Sequence, residues 1–206
     1  MPPAEPSIFI VDDDEAVRDA LCELFVSEGM GAQAFDSAEA FFAAGLATAR
    51  GCLVLDIHMP GQTGLELQAE LKRQGAAIPI IIITGQGDVP KARSAFKVGA
   101  VDFIEKPFDP AALVRTVREA LETEGRLRSA IAEIEEKRAR ISHLSTRERE
   151  VMDLVVAGHP NKVIATKLGL SVRTVENHRA KVMEKTKCSN LSALVSMALQ
   201  LRTPEP

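Results

Sequence analysis

Cysteine is scarce in this chain of 206 residues, which contains only Cys22, Cys52 and Cys188. An odd number of widely separated cysteines fits neither a disulfide framework nor a zinc knuckle, because both need paired or closely spaced thiols. Disulfides are also rare in reducing compartments. We therefore expect the protein to work in the cytoplasm, with its thiols reduced.

Long apolar runs are also missing. No hydrophobic stretch approaches the roughly 20 residues that a helix needs to span a bilayer. The first ten residues, MPPAEPSIFI, lack the basic region that opens a secretory signal. With 46% hydrophobic and 26% charged residues, the composition is that of an ordinary globular protein, and we expect no membrane partner.

The net charge of −4 hides an asymmetry along the chain. Residues 1–122 carry a net charge of −9, residues 123–142 carry +1 and residues 143–206 carry +4. Such a split predicts two modules with different partners. A polyanion is the natural partner for the basic tail.

The acidic front half alternates β-rich runs with helical patterns. The runs are SIFIV, GAQAF, CLVLD, IPIIIIT and VDFIE. Helices are expected between and after them at residues 15–28, 37–44, 63–74, 88–98 and from Asp109. The nearly continuous apolar runs CLVL and IPIIII are typical of strands that are covered on both faces. This alternation predicts an α/β domain with a doubly wound, five-stranded parallel sheet of the flavodoxin-like kind.

The last of these helices has no clear end. From Leu113 to Ile141, apolar residues recur at alternating steps of three and four, with Glu124 and Arg138 as interruptions. Residues 123–142 are therefore predicted to form a helical linker with a weak coiled-coil seam. Gly125 is a candidate hinge within it.

The basic tail, residues 143–206, contains only helical patterns and short breaks. Ser145 and Ser171 are suited to begin helices, and Gly158 and Gly169 are suited to end them. The pattern predicts an all-α domain of four helices, at residues 146–157, 161–168, 172–187 and 190–201.

Polar side chains follow the predicted strands of the front half. Asp12 and Asp13 follow the first strand, Asp56 ends the third, Thr84 ends the fourth, and Lys106 follows the fifth. A parallel sheet gathers these strand ends at one edge. Carboxylate oxygens there suit Mg²⁺, and a lysine and a threonine suit phosphoryl oxygens. The set predicts phosphoryl transfer to a carboxylate, which gives an acyl phosphate.

The same residues resemble the receiver domain of bacterial two-component response regulators. The resemblance rests on Asp12–Asp13, LDIHMPG at residues 55–61 with Gly64, Thr84–Gly85, and DFIEKPF at residues 102–108. It covers about residues 6–122, so residues 1–122 are assigned to a receiver domain.

That resemblance implies a role for each acidic residue. Asp56 would accept a phosphoryl group from a phosphohistidine on a sensor histidine kinase. Asp13 and Asp56 would bind Mg²⁺ directly, together with the main-chain carbonyl of His58, and Asp12 would act largely through a bound water. Asp14 has no such role and is expected to cap the following helix.

The resemblance also implies a switch. Lys106 and Thr84 would contact the phosphoryl oxygens. Phe103 occupies the position of the family's aromatic switch residue, which turns inward when Thr84 moves toward the phosphate. The movement would reshape the face formed by the fourth predicted helix and the fifth strand.

A phosphatase is the alternative for the acidic motif. The D-x-D pattern of Asp12–Asp14 also resembles the haloacid-dehalogenase phosphatases, with the first aspartate as nucleophile. Those enzymes need another acidic pair well downstream of the lysine, and only Asp109 follows Lys106 before the chain becomes helical. The LDIHMPG segment would also be unexplained. We therefore expect the protein not to be an enzyme.

Two helices in the tail are joined by a short turn at residues 169–171. Six apolar residues are expected to face inward: Val163, Ile164, Leu168, Val172, Val175 and Val182. On the other face of the second helix, Arg173, Asn177 and Lys181 follow at steps of four and form one stripe. This arrangement is typical of a helix-turn-helix whose second helix enters the major groove.

The tail resembles the LuxR-type helix-turn-helix domain. The matching patterns are LSTREREV, G-x-x-NK-x-IA-x-x-L and LS-x-x-TVE-x-H. The resemblance covers residues 143–206, and together with the receiver it places the chain near the FixJ-like group of transcriptional regulators. It implies DNA-backbone contacts from Lys162, Arg173 and Thr174. Asn177 and Lys181 would face base edges, and Glu176 could accept a hydrogen bond from cytosine.

A single small domain with a charge of +4 should bind DNA weakly. We therefore expect a homodimer when Asp56 is phosphorylated, with two domains on adjacent half-sites. RNA polymerase is a further candidate partner. The alternative is an adaptor whose helical tail docks on another protein, but the charge and the polar stripe favour double-stranded DNA.

Overall fold

The computed structural model describes residues 7–46, 49–85 and 98–201. The chain divides into two compact units, residues 1–127 and 128–206. The domain boundaries expected after residues 122 and 142 stay predictions. The helix expected at residues 88–98 lies outside the described residues except for its last position.

The first unit is built on a five-stranded parallel sheet with the order β2-β1-β3-β4-β5, which confirms the predicted fold class. The strands are β1 (Ser7–Val11), β2 (Gly31–Phe35), β3 (Gly51–Asp56), β4 (Ile80–Thr84) and β5 (Asp102–Glu105). The helices described in this unit begin with α1 (Glu15–Ser27), α2 (Ala38–Ala43) and α3 (Gly64–Arg73), followed by the long α4 (Pro110–Ser142).

Side chains alternate across the sheet and form two apolar layers. Phe9, Leu53 and Leu55 belong to the layer that contains residues of α2 and α3. Ile10 and Val54 belong to the opposite layer, which contains residues of α1 and of the first turns of α4. All six residues of β3 are buried, as its apolar run predicts for a central strand covered on both faces.

The strand register brings the polar strand ends together. Val11 is paired with Leu55, so the next residue of each strand, Asp12 and Asp56, is at the same level. Thr84 is paired with Glu105, which places Lys106 directly beyond it. The edge predicted from the strand order is therefore present in the fold.

The helix α4 runs without interruption for 33 residues, and Gly125 lies inside it. Leu113 and Val117 are buried in the first unit, whereas Leu127 and Ile131 are 61% and 51% exposed. Exposed apolar residues four positions apart are compatible with the predicted seam, but the coiled coil stays a prediction. No helix in the described parts of the chain has the length and apolar character required to cross a membrane.

The second unit is helical, as predicted. After the end of α4 it contains α5 (Thr146–Val156), α6 (Asn161–Leu168), α7 (Val172–Thr186) and α8 (Leu191–Gln200). Ser145 and Ser171 cap α5 and α7 with their hydroxyl groups, and Gly169 ends α6 in the left-handed conformation with φ of 66°. These caps confirm the predicted helix boundaries to within one or two residues.

Two residues predicted to face inward are more exposed than expected. Val163 and Val172 are 37% and 38% exposed. In α6 the buried positions are Ile164 and Ala165, so Val163 lies at the edge of the apolar stripe. Val172 is the first residue of α7, one turn before the buried Val175. Hydrophobic periodicity identifies the face of a helix, but it does not show whether the first turn of that helix is covered by another part of the protein.

Replacing Gly64 by alanine tests how closely α3 approaches the end of β3. A Cβ at Gly64 would collide with the carbonyl oxygen of Asp56, and we expect the substitution to destabilise the first unit by about 1–3 kcal/mol. Gly125→Ala is the matched control, because a Cβ there meets nothing within 4 Å and alanine should stabilise the helix by up to about 1 kcal/mol. Urea unfolding followed by amide NMR signals measures the free energy of unfolding of each variant. Equal changes in this free energy for the two variants would contradict the prediction.

Candidate functional site

Asp56 is the last residue of the buried strand β3, and its side chain is held at both oxygens. Lys106 Nζ donates to Oδ1 at 2.9 Å, and the backbone N–H of His58 donates to Oδ2 at 2.6 Å. The residue is only 6% exposed. Its carboxylate is therefore fixed in direction at the sheet edge.

Lys106 joins this carboxylate to a second one. Its Nζ also donates to Asp12 Oδ2 at 2.7 Å, and Asp12 is buried. The backbone of Lys106 is positioned by its N–H bond to the carbonyl of Thr84, at 2.7 Å, and its peptide bond to Pro107 is cis. Three residues that are distant in the sequence thus form one charged cluster.

Burial opposes the charges in this cluster. It raises the pKa of Asp56, and although the hydrogen bond from Lys106 lowers it again, the net pKa is raised. Burial also opposes the charge on Lys106, but the hydrogen bonds to Asp12 and Asp56 outweigh it and raise the pKa of Lys106. The lysine therefore stays protonated, while one ammonium does not fully compensate two buried carboxylates.

The other members of the aspartate trio lie further out. Asp13 and Asp14 are exposed. The Asp14 carboxylate accepts from the N–H of Ala16 at 2.9 Å and caps α1, which confirms its predicted role. Asp14 also donates its own N–H to Asp12 Oδ1 at 3.0 Å, so the trio forms a tight loop.

Arg18 is part of this loop and was not identified from the sequence. Its Nη1 donates to the carbonyls of Asp12 and Asp13, both at 2.9 Å, and it thereby ties α1 to the acidic loop. The position of Arg18 near the start of α1 could have indicated this role. A cation is unfavourable in the first turns of a helix, so an arginine there is expected to have a specific hydrogen-bond acceptor.

Thr84 is the last residue of β4, and Phe103 lies on β5. Thr84 is buried. Phe103 is partly buried and packs against the apolar layer that contains Ile82. Asp56 is paired with Ile83, the residue before Thr84, and Phe103 is paired with Ile82. The movement proposed for Thr84 and Phe103 stays a prediction.

No group of three or more histidine, cysteine, aspartate or glutamate side chains among the described residues is arranged to hold a metal ion. The donors present are nevertheless of the right chemical kind. Asp12 and Asp56 converge on one ammonium, Asp13 follows next in the chain, and all three offer oxygen atoms. Mg²⁺ prefers oxygen ligands and keeps several waters, so it needs few protein ligands.

An apolar groove opens beside Lys106. It has a volume of about 790 Å³ and lies between α1 and the segment that follows β5. Its lining includes Val17, Leu24, Pro107 and Phe108. The groove offers an apolar surface directly next to the charged cluster.

In the second unit, α6 and α7 form a helix-turn-helix joined by residues 169–171. Five of the six predicted DNA-contacting residues are exposed, and their side chains make no hydrogen bond or ion pair with any residue that the structure describes: Lys162, Arg173, Glu176, Asn177 and Lys181. Thr174 differs, because it is half-buried and its hydroxyl oxygen lies 2.8 Å from that of Ser171. The stripe on α7 is thus available to a partner.

Charged residues behind this stripe hold the unit together. Lys185 of α7 donates to the buried carboxylate of Glu148 at 2.6 Å, which also accepts the N–H of Ser145 at 2.8 Å. These bonds lower the pKa of Glu148 to about 2. Arg149 donates to the carbonyl of Ile141 at 2.9 Å. Glu148 and Arg149 therefore make contacts within the unit and do not belong to the exposed stripe.

Both units match known families. Residues 8–118 match the family described as response regulator receiver domain, and residues 142–198 match the bacterial regulatory proteins of the luxR family.

Relatives match almost the whole chain. The transcriptional regulatory protein FixJ of Azorhizobium caulinodans is 48% identical over 97% of this chain and 94% of its own. The response regulator protein TodT of Pseudomonas putida strain F1 is 41% identical over 95% of this chain and 86% of its own. The structure of the response regulator StyR superposes with a TM-score of 0.91 at 38% identity, covering 96% of this chain and 100% of that one.

The Glu148–Lys185 pair predicts an acid-sensitive second unit. A carboxylate whose pKa falls from 4.5 to about 2 on folding stabilises the fold above pH 4.5, and this contribution is lost as the pH falls through about 2. Glu148→Gln should therefore be less stable than wild type at pH 6, with the gap closing as the pH falls.

Glu150→Gln is the control, because Glu150 makes an ion pair with Arg147 on the surface of the same helix, where such pairs contribute little. The measurement is urea unfolding followed by NMR signals of α5 and α7 from pH 6 downward. A gap between Glu148→Gln and wild type that does not change with pH would contradict the assignment.

Proposed function

Because this chain belongs to the two-component response regulators that join a receiver domain to a LuxR-type DNA-binding domain, we propose specific roles for the residues of both units. The protein is a DNA-binding regulator of transcription, and the adaptor alternative is not supported. In our proposal Asp56 accepts the phosphoryl group, and the exposed stripe of α7 binds DNA.

The convergence of Asp56 and Asp12 on Lys106 carries the proposal for the acceptor. A carboxylate oxygen of Asp56 attacks the phosphorus of a phosphohistidine on a sensor kinase, the N–P bond breaks, and an O–P bond forms. Lys106 lies 2.9 Å from Asp56 Oδ1, so its ammonium can stabilise the phosphoryl oxygens. The hydroxyl of Thr84 would be a further donor to these oxygens.

Asp13, Asp56 and the main-chain carbonyl of His58 are the proposed direct ligands of Mg²⁺, and Asp12 would act largely through a bound water. When bound, the ion would neutralise charge on the phosphoryl group and the carboxylates. The geometry supports this, because two buried carboxylates converge on the single ammonium of Lys106 and leave one negative charge uncompensated. Arg18 helps to hold the Asp12–Asp13 loop in position.

The groove between α1 and the segment after β5 supports an approach route for the kinase. Its apolar lining, with Val17, Leu24 and Phe108, suits a helix that carries the phosphohistidine. Because Lys106 also lines the groove, the donor phosphate would arrive beside the acceptor cluster.

DNA binding is proposed to use two classes of contact on α6 and α7. Lys162, Arg173 and Thr174 would bind phosphates, and Asn177 and Lys181 would bind base edges in the major groove. Glu176 would accept a hydrogen bond from cytosine. The exposure of the stripe supports these assignments.

Phosphorylation is proposed to act through pairing of receivers. Phosphate on Asp56 would draw in Thr84 and Phe103 and favour a homodimer, which places two basic tails on neighbouring half-sites. The dimer could then contact RNA polymerase. Such a regulator acts where the DNA is, in the cytoplasm, and catalyses no turnover of its own.

Replacing Asp56 by asparagine tests the acceptor. Asp56→Asn should abolish labelling by radioactive acetyl phosphate, because the amide is not a competent nucleophile. Asp14→Asn is the control, since asparagine also caps helices well and labelling should be retained. Circular dichroism of both variants verifies folding. Label remaining on Asp56→Asn, with Asp12 or Asp13 identified by mass spectrometry, would overturn the assignment.

Phosphorylation should also change assembly and DNA affinity together. Sedimentation velocity of the protein with Mg²⁺ should show a monomer that becomes a dimer after acetyl phosphate is added, and Asp56→Asn should not respond. Fluorescence anisotropy should show tighter DNA binding by the phosphorylated form. Affinity should fall with salt, with a slope of about −0.9 for each phosphate contact. No change in either quantity would exclude pairing as the mechanism.

A further inference from the structure

Arg179 lies on α7 but outside its exposed stripe. It is half-buried, whereas Arg173, Asn177 and Lys181 are exposed. Its Nη1 donates to Oδ1 of Asn161 at 2.5 Å. Asn161 is the first residue of α6, so this bond joins the start of one helix to the middle of the other.

Arg179 also borders the core of the second unit. It lines a gap of about 10 Å³ together with Val155, Val182 and Leu194. An arginine can pack its stem against apolar residues and keep its guanidinium at the rim of the core. The half-buried position of Arg179 and its bond to Asn161 agree with such an arrangement.

Among the residues that the structure describes, the side chain of Asn161 makes no hydrogen bond other than the one with Arg179. The helix α6 is preceded by Pro160 at the N-cap position, and no side-chain capping bond is formed. The next residue is Lys162, which is exposed. A bond at Asn161 consequently fixes the position of Lys162 relative to α7.

We propose that Asn161 and Arg179 form a strut that sets the angle between the two helices of the helix-turn-helix. Arg179 is a positioning residue: it aligns Lys162 on α6 with Asn177 and Lys181 on α7 and does not contact DNA itself. This inference rests on the proposed use of α7 to read DNA. The ordinary expectation for an arginine on such a helix would instead be a phosphate contact.

A strut of this kind should affect sequence-specific DNA binding more than non-specific DNA binding. Base contacts require that side chains on α7 reach base edges while α6 keeps its place on the backbone. Non-specific binding depends mainly on the number of phosphates neutralised. Loss of the strut should therefore reduce the preference for a specific site while leaving the affinity for an unrelated duplex, and the salt dependence of that affinity, unchanged.

The test is a double-mutant cycle on the full chain. The probe is a duplex of about three helical turns that the wild-type protein selects from a random library, compared with an unrelated duplex of the same length and composition. Asn161→Ala and Arg179→Gln should each weaken binding to the selected duplex about tenfold, as expected for a bond to a charged group. The double variant should be no weaker than either single variant.

Asn161→Ala removes no charge, so its affinity for the unrelated duplex and its salt slope should equal those of wild type. Arg173→Gln is the comparison, because Arg173 is a proposed phosphate contact and its loss should reduce the slope by about 0.9. Should Arg179→Gln fail to fold in thermal unfolding, Arg179→Lys completes the cycle.

Two results would overturn the strut. Wild-type affinity in Asn161→Ala, with a reduced salt slope in Arg179→Gln, would make Arg179 a direct phosphate contact. Additive losses in the double variant would mean that the two residues act independently. Failure of wild-type protein to select any duplex would instead contradict the proposed reading of DNA, which keeps the two hypotheses separable.

Discussion

The ion pairs of Lys106 with Asp12 and Asp56 are the interactions on which the polar edge of the first unit depends. The ammonium group lies 2.7 Å from Asp12 and 2.9 Å from Asp56, and both carboxylates are almost fully buried. Without this cation, two like charges would meet in a poorly solvated place, which is strongly unfavourable. The lysine comes from the end of β5 and the carboxylates from β1 and β3. The ion pairs therefore link the ends of three strands, and they leave one negative charge that a further cation could compensate.

The same constraint connects the chemistry to the rest of the fold. Lys106 is positioned through the carbonyl of Thr84, and Phe103 precedes it on β5. The proposed phosphoryl group on Asp56 would add oxygen acceptors and negative charge beside the ammonium of Lys106, which is close along the chain to Phe103. The proposed switch thus needs no long path through the protein.

The strand ends show how much the sequence could predict. Parallel strands end at one edge, so the order of the apolar runs was enough to bring Asp12, Asp56 and Lys106 together. Arg18 and Arg179 show the limit of such prediction. The sequence identifies each as a cation on a helix, but it does not show which protein group accepts its hydrogen bonds. Hydrophobic periodicity identifies a helix face but not the residue opposite it. For the same reason Val163 and Val172 were expected inside, although their helices leave them partly exposed.

The charged residues of the second unit fall into two groups: some bind other groups of the protein, and others are exposed on the stripe of α7. Glu148 and Lys185 neutralise each other against the core, and Arg149 and Arg179 are engaged by protein acceptors. Three of the ten basic residues of the tail are therefore engaged by protein acceptors, and these contribute little to direct phosphate contacts. Fewer cations are then left to neutralise phosphates, which would weaken binding by a single unit. The proposed pairing of two units would raise the affinity, and control of receiver assembly would then be a sufficient means of regulating transcription.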